Sequence, residues 1–338
     1  MSTVYDHIAS NNRKTFMLLL LFPLSLCVMV TLAMIIAFYI IGDPQFVYDF
    51  LYPYADLIQR FNIQITQGNI YFWTAIAFVA HTVPWVFGAG LIWMLISWNF
   101  GDKMILWGAN AKPIELKDNP QIYRMVENVA IAAGLPCPKL YIIQDTSLNA
   151  FATGRDPKHA SITLTSGIIA KLEPLELEGV IAHEMAHIGN RDIRLNMLII
   201  TGLSIFGFLA DVIRVQMRYA SGSKDRSKLM VVYLAIFIAL ILFNSIVAPL
   251  IQLAISRRRE YAADATGALI TRNPEALASA LQKISEDARV EVLDKQKNIS
   301  TACIANPRDI SMAFSSAFST HPPIKDRIER LMNMTGNL

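Results

Sequence analysis

The chain has 338 residues, of which 54% are hydrophobic and only 17% charged, with a formal net charge of +3. This is too apolar for an ordinary soluble domain of that length, and the small, dispersed positive charge excludes nucleic acid as a partner, because no basic patch is interleaved with aromatics. Cys27, Cys137 and Cys303 make an odd, scattered set without zinc spacing, which excludes a disulfide framework and fits a reducing compartment.

In chain order, the apolar residues fall into blocks. Residues 15–41 carry no charge, and neither do residues 61–101. Residues 229–256 are again uncharged. Each exceeds the roughly 20 apolar residues that cross a bilayer. The first block is longer than the roughly 7–15 residues of a signal-peptide core and lacks a clean cleavage site, so it reads as a retained anchor. A further block, 195–210, lies between Arg194 and Asp211. It would span only with bilayer thinning or with help from Val212 and Ile213. These blocks give four hydrophobic membrane segments.

Orientation follows from the basic residues. Arg13 and Lys14 precede the first block, the loop at 42–60 is mainly acidic, and Arg257, Arg258 and Arg259 follow the last block. The polar parts are therefore expected in the cytoplasm. The loop between the 195–210 and 229–256 blocks disagrees. It holds Arg214, Arg218, Lys224, Arg226 and Lys228 against Asp211 and Asp225, so this hairpin need not cross fully.

Within the polar parts, 119–135 has helical periodicity and ends at Gly134, a plausible C-cap. Residues 139–145 and 160–167 read as strands, and 149–154 as an edge strand or its turn. Residues 173–190 read as a helix with Pro174 at an early position. Two more helices follow in "EYAADATGALI" and "PEALASALQKISEDA", and 288–318 is expected to be loop-rich. The organisation is two membrane helices in 1–97, one domain built from 98–194 and 257–338, and a hydrophobic hairpin, 195–256, inserted into it.

The chemistry sits in the 173–190 helix, at His183-Glu184-Met185-Ala186-His187. Residues i and i+4 share a helix face, so both imidazoles can reach one Zn²⁺. Glu184 is rotated by about 100° from His183. Its carboxylate then stands beside the metal, where it can take a proton from a water that the metal has made more acidic. The plainer reading is a helix that carries two histidines and no metal. A catalytic zinc also needs a third protein ligand. Glu260 and Asp264 are again four apart and share a face, so one could bind the metal and the other orient a ligand histidine. An ion pair of Glu260 with Arg257 or Arg258 is the competing reading.

"HEMAH" at 183–187, "EYAAD" at 260–264, "NAFATG" at 149–154 and "STHPPIKDRI" at 319–328 stand in the order and spacing of HtpX-type membrane zinc endopeptidases. The chain resembles this family along essentially its whole length. These are gluzincins, related to the CAAX prenyl protease of the endoplasmic reticulum and to mitochondrial Oma-type proteases. The resemblance implies an α+β zincin-type catalytic domain with a small sheet and an HExxH active-site helix. It implies one zinc per chain held by His183, His187 and Glu260, with Asp264 orienting a ligand histidine. Asn149, Ala150 and Phe151 would lie in an edge strand where an extended peptide pairs. His321 would stand near the metal as a donor to the oxyanion, and Arg327 would hold that region together.

Two further residues fall outside this scheme. His81 lies in the second apolar block and suits a helix–helix hydrogen bond, while Asp192, five residues after His187, could anchor the end of the active-site helix. The expected activity is zinc-dependent endopeptidase action on misfolded or damaged membrane proteins or unfolded polypeptides, with Glu184 as general base. The expected home is a bacterial inner membrane, with the lipid bilayer as environment and a homo-oligomer compatible with the sequence. One competing reading is a protease of the prenyl-processing type, disfavoured by the small number of spans. Another is a membrane scaffold or chaperone, disfavoured by the intact Glu184. A zinc transporter fails because the spans hold almost no ionisable residues.

Overall fold

The computed structural model describes residues 4–41, 51–60, 62–66, 68–220, 226–253, 257–286, 303–304 and 322–335. Most of 288–318, expected to be loop-rich, lies outside the described residues, as does His321.

Four long helices carry the apolar blocks. They are α1 (Val4–Ile41), α3 (Ile70–Gly108), α7 (Asp192–Ala220) and α8 (Arg226–Leu253), with the short α2 (Ala55–Arg60) between the first two. Among the described residues, three helices are long and apolar enough to cross a membrane, within α1, α3 and α7, and α8 contains a shorter apolar stretch, Met230–Phe243. The 195–210 block is thus longer than its uncharged core suggests. It continues through Asp211 and Arg214, which form an ion pair one turn apart on the helix surface. The polar stretch that begins at residue 98 likewise opens inside a helix, because Asp102 and Lys103 belong to α3.

The remaining elements are β1 (Lys112–Ile114), α4 (Pro120–Ala133), β2 (Lys139–Ile143), β3 (Ala150–Gly154), β4 (Ala160–Thr165), α5 (Ser166–Lys171), α6 (Pro174–Gly189), α9 (Arg257–Thr271), α10 (Pro274–Glu286) and α11 (Ile324–Met332). Helix α4 starts where Asn119 accepts the Ile122 N–H and Pro120 supplies a preset φ. It stops at Gly134, whose φ of 66° suits a residue without Cβ.

The chain divides into two compact units. One comprises Met1–Phe16, Ile96–Thr201 and Pro249–Leu338, the other Met17–Leu95 and Gly202–Ala248. In the second unit, Phe206 packs on Phe22 and Phe243 at 5.3 and 4.2 Å between ring centroids. Large apolar side chains such as Leu21, Val28, Phe72, Trp85 and Phe208 face outward. That pattern suits an apolar surrounding better than water.

The first unit holds a mixed sheet of order β1-β2-β4-β3, in which β2 and β4 are parallel and the other neighbours antiparallel. β3 is an edge strand. Below the sheet runs α6, whose Leu177, Val180, Ile181, Met185 and Ile188 are all buried. Full burial of such side chains contributes about 1.5–3 kcal/mol each. The start of α6 is fixed by Glu176, whose carboxylate accepts the Glu173 N–H at 2.8 Å, the Ser279 hydroxyl at 2.6 Å and the Lys283 ammonium at 2.7 Å. The last two belong to α10, so helix capping and helix packing share one carboxylate.

Close packing also sets the position of α9. A Cβ on Gly267 would stand 3.0 Å from the His183 backbone nitrogen, and a Cβ on Gly179 would stand 3.2 Å from Leu277. Glycine at these two positions lets α9 and α10 lie directly against α6.

Candidate metal centre

Residues 183–187 lie in α6, and the i, i+4 spacing turns His183 and His187 toward the same side, with ring centroids 4.8 Å apart. Because α9 approaches so closely, Glu260 meets both of them. Its carboxylate oxygens are 3.8 Å from His183 Nε2 and 3.7 Å from His187 Nε2. Single ligand atoms from the three residues all lie within 4.8 Å of one another. Zinc bonds of about 2.0–2.1 Å in a tetrahedral set separate ligand atoms by roughly 3.3 Å, so the two histidine–carboxylate pairs stand ~0.5 Å wide of that spacing and no pair in the set more than ~1.5 Å. Two imidazoles and one carboxylate fit zinc and leave a fourth position open.

Each histidine has an aspartate behind it. His183 Nδ1 lies 3.0 Å from Asp264 Oδ1, and His187 Nδ1 donates to Asp192 Oδ2 at 2.9 Å. Asp264 in turn accepts two bonds from Arg327, from Nε at 2.8 Å and from Nη2 at 2.7 Å. Arg327 is fully buried and also donates to the Ile304 carbonyl at 3.0 Å. The guanidinium thus ties α11 to α9 and to the 303–304 segment.

The electrostatics follow from this geometry. Burial pushes Asp264 up, but the Arg327 charge and hydrogen bonds outweigh it and hold the carboxyl at about 2. Burial pulls His187 down, while Glu260 and Asp192 outweigh it and raise the imidazole to about 9. Without a metal, the proton therefore occupies the cluster at neutral pH. Burial raises Glu184 above the usual carboxylate range, against the pull of the two histidines. The Ala152 N–H on β3 donates to the Glu184 carboxylate, which ties the edge strand to α6. Burial, reinforced by Glu184, pushes the Cys303 thiol up, so this cysteine stays protonated and presents no thiolate.

Asn149 and Phe151 are buried, and the aromatic ring of Phe151 belongs to the interior. Asn149 Oδ1 accepts the Ala150 N–H at 3.0 Å, and its carbonyl accepts the Thr165 N–H at 3.1 Å. The two-residue period of a strand then points the Ala150 carbonyl away from β4. There it accepts the Ile304 N–H at 2.9 Å. Part of the outer rim of β3 is thus paired within the chain. His81 has an edge-on ring contact with Tyr54 at 6.2 Å.

Sequence reasoning did not find three members of this arrangement. Arg259 and Asn11 both donate to Asp192, and Ile304 caps β3. Arg259 could be read only as one of three consecutive arginines, and Asn11 and Ile304 carry no motif.

Comparison with known proteins agrees with the geometry. The profile of peptidase family M48 matches residues 116–335. A "Protease HtpX homolog" of Tropheryma whipplei is 41% identical over 243 residues, 71% of this chain and 81% of that protein. A protein of the same description from Bacteroides fragilis is 36% identical over 329 residues, 94% of each chain. Another from Dictyoglomus thermophilum is 40% identical over 233 residues, 69% of this chain and 75% of that one. Among solved structures, Ste24p of S. mikatae aligns with a TM-score of 0.43 at 20% identity, covering 88% of this chain and 63% of that one. The chain belongs to peptidase family M48 and is an HtpX-like metalloprotease.

Proposed function

We propose that the chain is an integral-membrane zinc endopeptidase that hydrolyses peptide bonds of misfolded or damaged membrane proteins. The observation that carries this reading is the meeting of His183, His187 and Glu260 from two helices, with Glu184 buried on the same helix turn. The three would hold one zinc ion. Bound there, zinc would supply the Lewis acidity that makes a water nucleophilic at neutral pH and polarises the scissile carbonyl.

The protein's own groups do the rest. Asp192 and Asp264 keep the imidazoles oriented from the Nδ1 side, which leaves Nε2 for the metal. Glu184, desolvated so that its proton affinity is raised, accepts a proton from the attacking water and passes it to the leaving amine. An extended substrate would add to the outer edge of β3, where the strand period turns the Ala152 carbonyl the same way as that of Ala150. His321 is assigned as the oxyanion donor on the strength of the "STHPP" motif alone.

The long apolar helices support a membrane setting. With residues 1–97 and 195–256 as four membrane segments and 98–194 plus 257–338 as the catalytic domain, that domain faces the cytoplasm of a bacterial cell, at the inner membrane. Tethering there concentrates the enzyme near membrane substrates without any new contact.

The test compares wild type and Glu184→Gln in detergent, measuring bound zinc and cleavage of an unfolded protein. The expected outcome is equal zinc and a loss of cleavage of at least about 100-fold, the scale of a positioned general base. Equal cleavage by both proteins, or no zinc in the wild type, overturns the assignment.

A further inference from the structure

The ligand histidines are oriented by aspartates, but Asp192 must itself be fixed if it is to fix anything. It opens α7, is 1% exposed, and uses its two oxygens differently. Oδ2 accepts from His187 Nδ1 at 2.9 Å. Oδ1 accepts from Asn11 Nδ2 at 2.7 Å and from Arg259 Nη1 at 3.3 Å.

Asn11 is the unexpected member. It lies in α1, a few residues before an uncharged run, yet it is only 4% exposed. Its Nδ2 also donates to the Asn190 carbonyl at 3.1 Å, at the C-cap of α6. A buried amide must be satisfied, and this one is satisfied at the two residues that frame the end of the ligand helix. Arg259 reaches Asp192 from the other side and is itself braced on Asn196 at 3.1 Å. With Oδ1 held by both donors, the carboxylate cannot swing, and Oδ2 stays aimed at His187. That fixes the His187 proton on Nδ1 and turns Nε2 toward Glu260.

We infer that Asn11 is a positioning residue of the metal centre, acting through Asp192 on His187, so that the N-terminal helix takes part in metal binding. Asn12, one position on, provides the contrast. Its side chain accepts from Arg194 at 3.3 Å and lies on the surface. It anchors α1 without touching the Asp192 cluster.

The inference rests on the metal-centre reading, and the experiment separates the two. Zinc affinity of the full chain in detergent is measured by competition with a chromophoric chelator for wild type, Asn11→Ala, Asn12→Ala, Asp192→Asn and the Asn11→Ala/Asp192→Asn double variant. The expected loss for Asn11→Ala is about tenfold, the lower end for outer partners of ligand histidines, with Asn12→Ala unchanged. In the Asp192→Asn background, Asn11→Ala should add less than about twofold, because its route to His187 is already broken.

Unchanged affinity in Asn11→Ala overturns the inference. So does a loss of equal size in both backgrounds, which would mark Asn11 as a general prop. If Asn11→Ala does not fold, the isosteric Asn11→Asp is read in the same cycle. It removes the donor without emptying the space, and affinity equal to wild type would be equally fatal. Absence of zinc from the wild type would instead sink the metal-centre reading.

Discussion

Replacing Arg327 by methionine strips Asp264 of its partner and leaves a buried carboxylate beside His183. Arg327 is fully buried and places two hydrogen bonds on Asp264 and one on the Ile304 carbonyl. The fall of the Asp264 carboxyl from 3.8 to about 2 corresponds to ~2.5 kcal/mol of stability at neutral pH. Adding the stranded carboxylate puts Arg327→Met at ~3–5 kcal/mol, a drop of order 10 °C in the melting temperature of a unit this size. Asp264→Asn in the same chain should restore part of that loss.

The pH dependence carries a sign. In the wild type, Asp264 contributes its stability above about pH 4 and loses it as pH falls from 3.8 toward about 2. In Arg327→Met, burial is opposed only by His183 and raises the carboxyl, so protonation relieves the strain at a higher pH. The gap between the two proteins should therefore narrow on acidification. Thermal unfolding in detergent, followed by tryptophan fluorescence between pH 5 and 8, measures it. A drop under ~2 °C, a gap that widens in acid, or no rescue by Asp264→Asn refutes the reasoning.

Other consequences are as direct. Zinc affinity should climb by nearly tenfold per pH unit from neutrality and flatten above about pH 9, because the His187 proton must leave before the metal binds; an affinity that is flat between pH 7 and 9 would contradict the cluster's electrostatics. Gly267→Ala pushes a methyl group to 3.0 Å from the His183 backbone and should lower zinc affinity several-fold, and Gly267→Leu should cost ~1–3 kcal/mol as well. Chelator titration and melting curves read both variants, and an alanine variant with wild-type affinity would show that α9 can slide without consequence.

How much of this was legible in the sequence depended on distance along the chain. The His183–His187 pair and the Glu260–Asp264 pair were visible because one helix turn converts a spacing of four into a shared face. Which carboxylate faces the histidines was not visible, since spacing treats Glu260 and Asp264 alike; the resemblance named Glu260, and in the fold Arg327 occupies Asp264 while Glu260 meets both imidazoles. Helices α4 and α6 were readable from their caps and prolines. The expected strand 160–167 ends early, because Thr165 turns to cap α5 by accepting the Ile168 N–H. The three residues of β1 were too few to show a period. Contacts such as Asn11 with Asp192, 181 residues apart, have no local signature at all.

The order in which the centre's parts leave the ribosome has a consequence for the cell. His183 and His187 are made first, Glu260 follows about 70 residues later, and Arg327 about 70 residues after that. At about 5–20 residues per second, several seconds separate the histidines from their carboxylate partner. During that interval the apolar helices α7 and α8 are being synthesised. A nascent chain thus carries no complete His183–His187–Glu260 cluster until its hydrophobic hairpin has been made, and no locked one until Arg327 has been added. Splitting the centre across the chain in this way ties assembly of the cluster to synthesis of the hydrophobic helices between its parts.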